Sequence, residues 1–150
     1  MNSVNAHTTQ EAVQSLVTFF ERLQSGDLSR LNELYASDAY FKDPFNEVRG
    51  PEEIRRLFEH MYRVLERPHF VITERVLQAP QCVLIWEFRF RFRRFDRGRE
   101  QVVRGSSHLR FGVDGRVEYH RDYWDAAEEL YEKIPGLGML MRWLRQQANR

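Results

Sequence analysis

A single cysteine in 150 residues, Cys82, excludes an internal disulfide and offers no thiolate cluster for zinc. No stretch approaches the roughly 20 consecutive apolar residues of a membrane-crossing helix, so no membrane span is expected. Met1 to Gln10 is polar and does not read as a signal peptide, which points to a cytoplasmic protein. An excess of one charge is also lacking. Lys and Arg number 23 against 22 Asp and Glu, so no global field recruits nucleic acid or an anionic membrane. His7, His60, His69 and His108 show no ligand spacing, and no metal or other cofactor is expected. Ser107 lacks the flanking Gly-x-Ser-x-Gly elbow of a nucleophile.

Aromatics are what the chain has in quantity, with 11 Phe, 6 Tyr and 3 Trp, bulky enough to line a cavity as well as fill a core. The length fits one domain, 1–150. Thr8 to Ser25 reads as a helix with Val13, Leu16, Val17, Phe20 and Leu23 on one stripe and Phe19 at its edge. Gly26 ends it, and a short second helix carries Leu28, Leu31, Leu34 and Tyr35. Ala39 to Lys42 is extended, and Asn46 to Gly50 reads as a loop. Pro51 opens a third helix to about Glu66, with Ile54, Leu57, Phe58, Met61 and Leu65 inward and Tyr62 at the margin.

From Pro68 the period changes to two. Strands are expected at Phe70 to Gln78, Cys82 to Phe95, Glu100 to Phe111 and Arg116 to Asp125, with turns at Pro80-Gln81 and Asp96 to Arg99. Alternation in the second of these puts Leu84, Trp86, Phe88, Phe90 and Phe92 on one face and Glu87, Arg89, Arg91 and Arg93 on the other. Which face turns to a pocket is left open. In FRFRFRRF the rings and guanidinium groups therefore lie on opposite faces, which argues against nucleic acid and for an outer face where arginines pair with acids such as Glu87 and Glu100. Asp114-Gly115 supplies the turn of the last hairpin, read as a two-residue loop. Ala126 to Lys133 is helical, Pro135-Gly136 interrupts, and Met139, Leu140, Trp143 and Leu144 mark a last short helix, short for a membrane-surface segment and read instead as a lid or partner contact. Helices followed by an antiparallel meander make an α+β domain with helices on one face of the sheet.

The last strand holds the candidate chemistry. Glu118, His120, Asp122 and Trp124 alternate onto one face, opposite Val117, Tyr119, Arg121 and Tyr123. An imidazole, a carboxylate and an indole in one row suit a pocket wall better than solvent. Such a carboxylate is a candidate base and His120 its proton-transfer partner. Asp122 also has a structural role open to it, paired to an arginine or to His120. Asp43 is a second carboxylate, although Asp before Pro is equally ordinary turn chemistry. Tyr40 and Tyr62 are candidate donors to a ligand carbonyl.

Ser25-Gly26-Asp27-Leu28, then Ala39 to Pro44 (AYFKDP), then Gly50-Pro51 opening a helix, and last His120 to Asp125 (HRDYWD) together resemble the SnoaL-like branch of the NTF2-like superfamily. The resemblance runs from about Glu11 to Asp125. It implies a cone: a curved sheet wrapped around N-terminal helices, with a cavity and, in many members, pairing through the outer sheet face into a homodimer. It implies a small hydrophobic ligand and acid–base chemistry of an isomerase, cyclase or hydrolase kind, or a non-catalytic binding module. Asp43 resembles the general base of ketosteroid isomerases, an enzyme whose acid–base arrangement is a standard example. At the positions of its oxyanion donors stand Phe19, without a hydroxyl, and Ser107. Asp122 resembles one acid of limonene epoxide hydrolases, whose Arg-x-Asp pair has no match at Trp86 and Phe88 or at Glu87 and Arg89. The candidate site is therefore Asp122, His120 and Asp43 as catalytic groups, with Phe19, Tyr40, Tyr62, Trp86, Phe88, Ser107 and Trp124 around the ligand.

Overall fold

In the computed structural model, which describes residues 6–93, 97–131 and 136–148, the chain begins with helix α1 (Ala6–Glu21). Its stripe of Val13, Leu16, Val17 and Phe20 is buried, as the spacing predicts. A 3-10 turn (Ser25–Arg30) and a single helical turn α2 (Leu31–Leu34) lead into strand β1 (Tyr35–Lys42). Tyr35 therefore opens a strand instead of closing a helix. The expected loop at 46–50 contains a short edge strand, β2 (Glu47–Arg49), and Pro51 then starts α3 (Pro51–Val64).

The meander follows as β3 (Leu65–Gln78), β4 (Gln81–Phe92), β5 (Gln101–Phe111) and β6 (Val117–Tyr123), then the short α4 (Ala126–Glu129) and α5 (Leu137–Ala148). The expected strand end at Phe95, the turn residue Asp96, the helix end at Lys133 and the break at Pro135 lie outside the described residues. Asp125 caps α4 by accepting from the Ala127 and Glu128 amides. The six strands form one sheet in the order β2-β1-β6-β5-β4-β3. β1 and β6 run parallel, with Phe41 opposite His120, and the other pairs are antiparallel. This is the α+β arrangement, with α1 and α3 packed in the curve of the sheet.

Alternation in β4 resolves the open question of its faces. Cys82, Leu84, Trp86 and Phe90 are buried, whereas Arg89 on the opposite face pairs with Glu87 (2.7 Å) and Glu100 (3.1 Å). The β5–β6 hairpin differs from its expected form. The Gly115 amide bonds to the Gly112 carbonyl (3.0 Å), the Gly112 amide bonds to the Arg116 carbonyl (2.8 Å), and only Gly115 has a positive φ, 81°. That is a three-residue loop closed by a glycine in the left-handed region. A register shift follows at once, because Phe111 pairs with Val117 but Arg110 pairs with Tyr119. The extra residue, Glu118, is exposed and Val117 is buried, so Glu118 leaves the row of His120 and Val117 joins the core.

Among the described residues no helix is long and apolar enough to cross a membrane. Cys82 is buried under β4, and desolvation pushes its thiol up to about 12. The thiolate is the reactive form. The folded chain is therefore expected to resist alkylation at mildly alkaline pH, while the denatured chain takes up one equivalent, as read by mass spectrometry.

Candidate active site

The meander places four groups of the candidate site side by side. β6 carries His120 and Asp122 on its inner face, β5 carries Ser107 directly opposite Asp122, and β4 carries Trp86 one strand further. Ser107 Oγ donates to Asp122 Oδ1 (2.5 Å), and the Trp86 indole N–H donates to Ser107 Oγ (2.8 Å). His120 Nε2 lies 2.6 Å from the same Asp122 Oδ1, and His120 Nδ1 lies 2.7 Å from the Tyr35 hydroxyl. An ionised carboxylate can only accept, so His120 Nε2 donates to Asp122; in the neutral tautomer that this bond selects, Nδ1 accepts from the Tyr35 hydroxyl.

Tyr35 is fully buried, and burial, with the charge of Asp122 adding to it, holds its phenol well above the ordinary value. It therefore remains a donor. Every proton in the chain from Tyr35 and from Trp86 is directed toward one oxygen of Asp122. The second oxygen has no hydrogen-bond partner among the described residues, and the Asp122 side chain is 18% exposed.

Tyr35 was missed by pattern reading. Its position at the end of an apolar stripe suggested packing, and its pairing with His120 depends on the parallel β1–β6 contact across 85 residues of chain. The imidazole is held on its faces as well. Tyr35 stacks on it at 5.9 Å, Phe41 approaches to 4.7 Å, and Phe20 meets it edge-on at 6.4 Å.

His120 and Asp122, with Trp86 and Ser107, line a cavity completed by Leu16, Phe20, Phe58, Phe70, Ile72, Leu84 and Leu109. Its free volume is about 30 Å³, room for one or two water molecules. Small-molecule sites run to roughly 300–1,000 Å³, so the roomy chamber implied by the resemblance is closed here. The cause is a cluster of rings. Phe20 lies 5.7 Å from both Phe58 and Phe70, and Phe58 lies 6.4 Å from Phe70.

The remaining candidates lie elsewhere. Asp43 Oδ1 accepts from the amides of Phe45 (2.8 Å) and Asn46 (2.7 Å), which organises the loop before β2, and Asp43 is not among the residues that line the cavity. Tyr40 sits on the outer face, stacked on Tyr119 and donating to Glu47 (2.9 Å), in an open groove lined also by Arg49 and Arg110. The Tyr62 hydroxyl donates to the Leu23 carbonyl (2.9 Å), and burial pushes it up to about 12. Phe19 is buried edge-on against Phe20, and Phe88 stacks on Phe70 beside the cavity. Trp124 packs against Phe45 and continues the row of Asp122 without joining the lining. α5 contributes no described residue to the lining.

A six-stranded sheet of this order, with N-terminal helices packed in its curve, is the NTF2-like fold. The chain belongs to the SnoaL-like domain family, whose model matches residues 16–120, a span that includes Tyr35, Trp86, Ser107 and His120. Solved structures agree on the fold. A protein of ketosteroid isomerase-like fold from Catenulispora acidiphila, in complex with trimethylamine, is 17% identical with a TM-score of 0.69, covering 81% of this chain and 91% of its own. An NTF2-like protein of unknown function from Burkholderia pseudomallei is 19% identical with a TM-score of 0.67, covering 81% and 93%. An LEH-like epoxide hydrolase of M. tuberculosis is 18% identical with a TM-score of 0.68, covering 88% and 96%. Among curated proteins none matches.

Two substitutions check the site's construction. Gly105 faces Trp86 across β4–β5, and a Cβ there would lie 2.5 Å from the Trp86 ring and 3.0 Å from Trp124. Gly105→Ala is expected to destabilise by about 1–3 kcal/mol through overpacking, read by denaturant unfolding. Ser107→Ala strands the buried Trp86 N–H and is also expected to cost about 1–3 kcal/mol, with a changed Trp86 emission.

Proposed function

We propose that this protein is an acid–base enzyme acting on a small hydrophobic carbonyl compound, with Asp122 as the base. The observation that carries this reading is the asymmetry of that carboxylate. One oxygen is fixed by His120 and Ser107, while the other has no described partner and belongs to a residue lining an otherwise apolar cavity. In the proposed reaction the free oxygen takes a proton from the carbon beside the carbonyl. The C–H electron pair passes into the enolate, and the same carboxyl then returns the proton to carbon. His120 and Ser107 hold the carboxylate in line throughout, which is the positioning that general-base catalysis requires.

A carbonyl substrate suits the site better than an epoxide. Hydrolytic opening of an epoxide needs an acid at the departing oxygen as well as a base on water, and the described lining holds one carboxylate and no arginine. Asp43 takes no part, since its carboxylate is engaged in its own loop. Admission of the substrate requires the Phe20, Phe58 and Phe70 rings to swing apart. A homodimer through the outer face, where Tyr40 and Tyr119 line the open groove, belongs to the same reading.

A second reading, a binding module without turnover, is favoured by one observation. The described lining sets a single carboxylate among Phe20, Phe58, Phe70 and Trp86 with no lysine or arginine, which is the environment that attracts a small alkylammonium ion. The Catenulispora protein of similar fold holds trimethylamine.

Deuterium uptake beside the carbonyl of 2-indanone in heavy water, followed by NMR, separates the two. An enzyme raises uptake above the buffer rate, Asp122→Asn lowers it by about 100-fold or more, and Asp43→Asn leaves it unchanged. Uptake at the buffer rate across a panel of ketones, with trimethylammonium raising the melting temperature of the wild type but not of Asp122→Asn, selects the binding module.

A further inference from the structure

The walls of the closed cavity beside Asp122 are not equally secured. Of its eleven lining residues, only Phe70, Ile72 and Asp122 keep part of their surface in solvent, and the first two lie close together on β3. β3 is an edge strand, with β4 on one side and no strand on the other. Irregularities interrupt its pairing with β4 on both sides of residues 69–72, between Glu66 and His69 and again between Ile72 and Glu74. A short ladder on an edge, bounded by bulges, has fewer hydrogen bonds holding it than an inner strand of equal length.

Facing it is α1, which supplies Leu16 and Phe20 to the same cavity. On the outside α1 is fastened to β3 by Gln14, whose Oε1 accepts from Arg75 Nη1 (2.8 Å), and by Glu21, whose Oε2 accepts from the Ile72 amide (3.4 Å). Gln14, Glu21 and Arg75 are exposed, so water competes for both bonds. On the inside Phe20 meets Phe70 edge-on at 5.7 Å. The other sides are shut more firmly. Phe58 is buried, and its helix α3 is tied down by the Tyr62 hydroxyl on the Leu23 carbonyl (2.9 Å). Past Asp122 the inner row runs into Trp124, which approaches Trp86 over Gly105. Phe45 covers Trp124 edge-on at 5.5 Å, with Tyr131 beside Phe45 at 5.9 Å. Three rings close that side, whereas one ring pair and two exposed bonds close the seam between α1 and β3.

We propose that ligands enter the Asp122 cavity through the seam between α1 and β3, and that Phe70 is its specificity-determining residue, the ring that sets the width of what is admitted. Opening tilts residues 69–72 away from α1 between their two bulges. It breaks both outer bonds and parts Phe70 from Phe20, while the polar groups on β5 and β6 stay in place. A passage between two rings suits a flat apolar molecule. The proposal rests on reading this cavity as the ligand site and holds whether turnover or simple binding follows.

Indane tests it, a flat apolar molecule without a carbonyl, so its uptake does not depend on turnover. Association with the full chain is followed by stopped-flow tryptophan fluorescence, because Trp86 lines the cavity. The double variant Gln14→Ala, Glu21→Ala removes both bonds at exposed helical positions that alanine fits, and is expected to speed association about tenfold. Phe70→Leu keeps an apolar wall with a narrower side chain and is expected to bind indane about tenfold tighter through a larger open fraction. Melting temperatures show that each variant is folded. Phe45→Ala, on the far side, is expected to leave the rate unchanged. If Phe45→Ala speeds association and the α1 pair does not, the entrance lies beside Trp124 and the proposal is overturned. It is equally overturned if neither the α1 pair nor Phe70→Leu alters uptake, including the case in which no variant takes up indane. Exchange of 2-indanone at the buffer rate, with the indane effects present, removes the catalytic reading and supports the entrance.

Discussion

Two hydrogen bonds, from His120 Nε2 and Ser107 Oγ, converge on one oxygen of Asp122, and the arrangement of the inner sheet face can be traced from that point. A charged group taken from water into an apolar interior is costly unless donors surround it. Here each donor is itself fixed from behind, His120 by Tyr35 and Ser107 by Trp86, so the carboxylate rests on four strands. Among the described residues no buried side-chain polar atom lacks a partner, which is the condition under which such a network orders a core instead of weakening it.

The same network explains why the fold tolerates small and unusual residues at particular places. Gly105 leaves room for the Trp86 indole to lie flat against β5 and reach Ser107. The bulge at Glu118 shifts the side-chain phase of β6 so that Val117 packs into the core at one end while His120 and Asp122 still face inward at the other. An unbroken strand could not place both Val117 and His120 on the inner side, because they are an odd number of residues apart.

The cavity beside Asp122 is small because rings fill it, not because polar groups close it. Phe20, Phe58 and Phe70 meet at centroid separations typical of favourable aromatic contacts. Each comes from a different element, α1, α3 and β3, so rotamer changes could open the space without unmaking a strand pair. Polar groups stay fixed on the sheet, while the apolar wall is shared between helices, which supply Leu16, Phe20 and Phe58, and strands, which supply Phe70, Ile72, Leu84 and Leu109.

How much of this could be read beforehand depended on the range of each signal. Local periodicity located α1, α3 and the meander, put Trp86 with the apolar face of β4, and set His120 beside Asp122 in one row. Those readings need only the repeat of a helix or strand, which the chain displays over a few neighbours. The same local reading gave Asp43 two roles and could not choose. It also put Glu118 in the row and Tyr35 on a helix, because bulges and parallel pairing leave no mark in the alternation. By itself, then, the sequence determined the elements and the face each side chain takes within them. Which faces meet was decided by the tertiary structure, through contacts such as Tyr35 with His120 that join residues far apart in the chain, and so were the donors around Asp122 and the space left beside it.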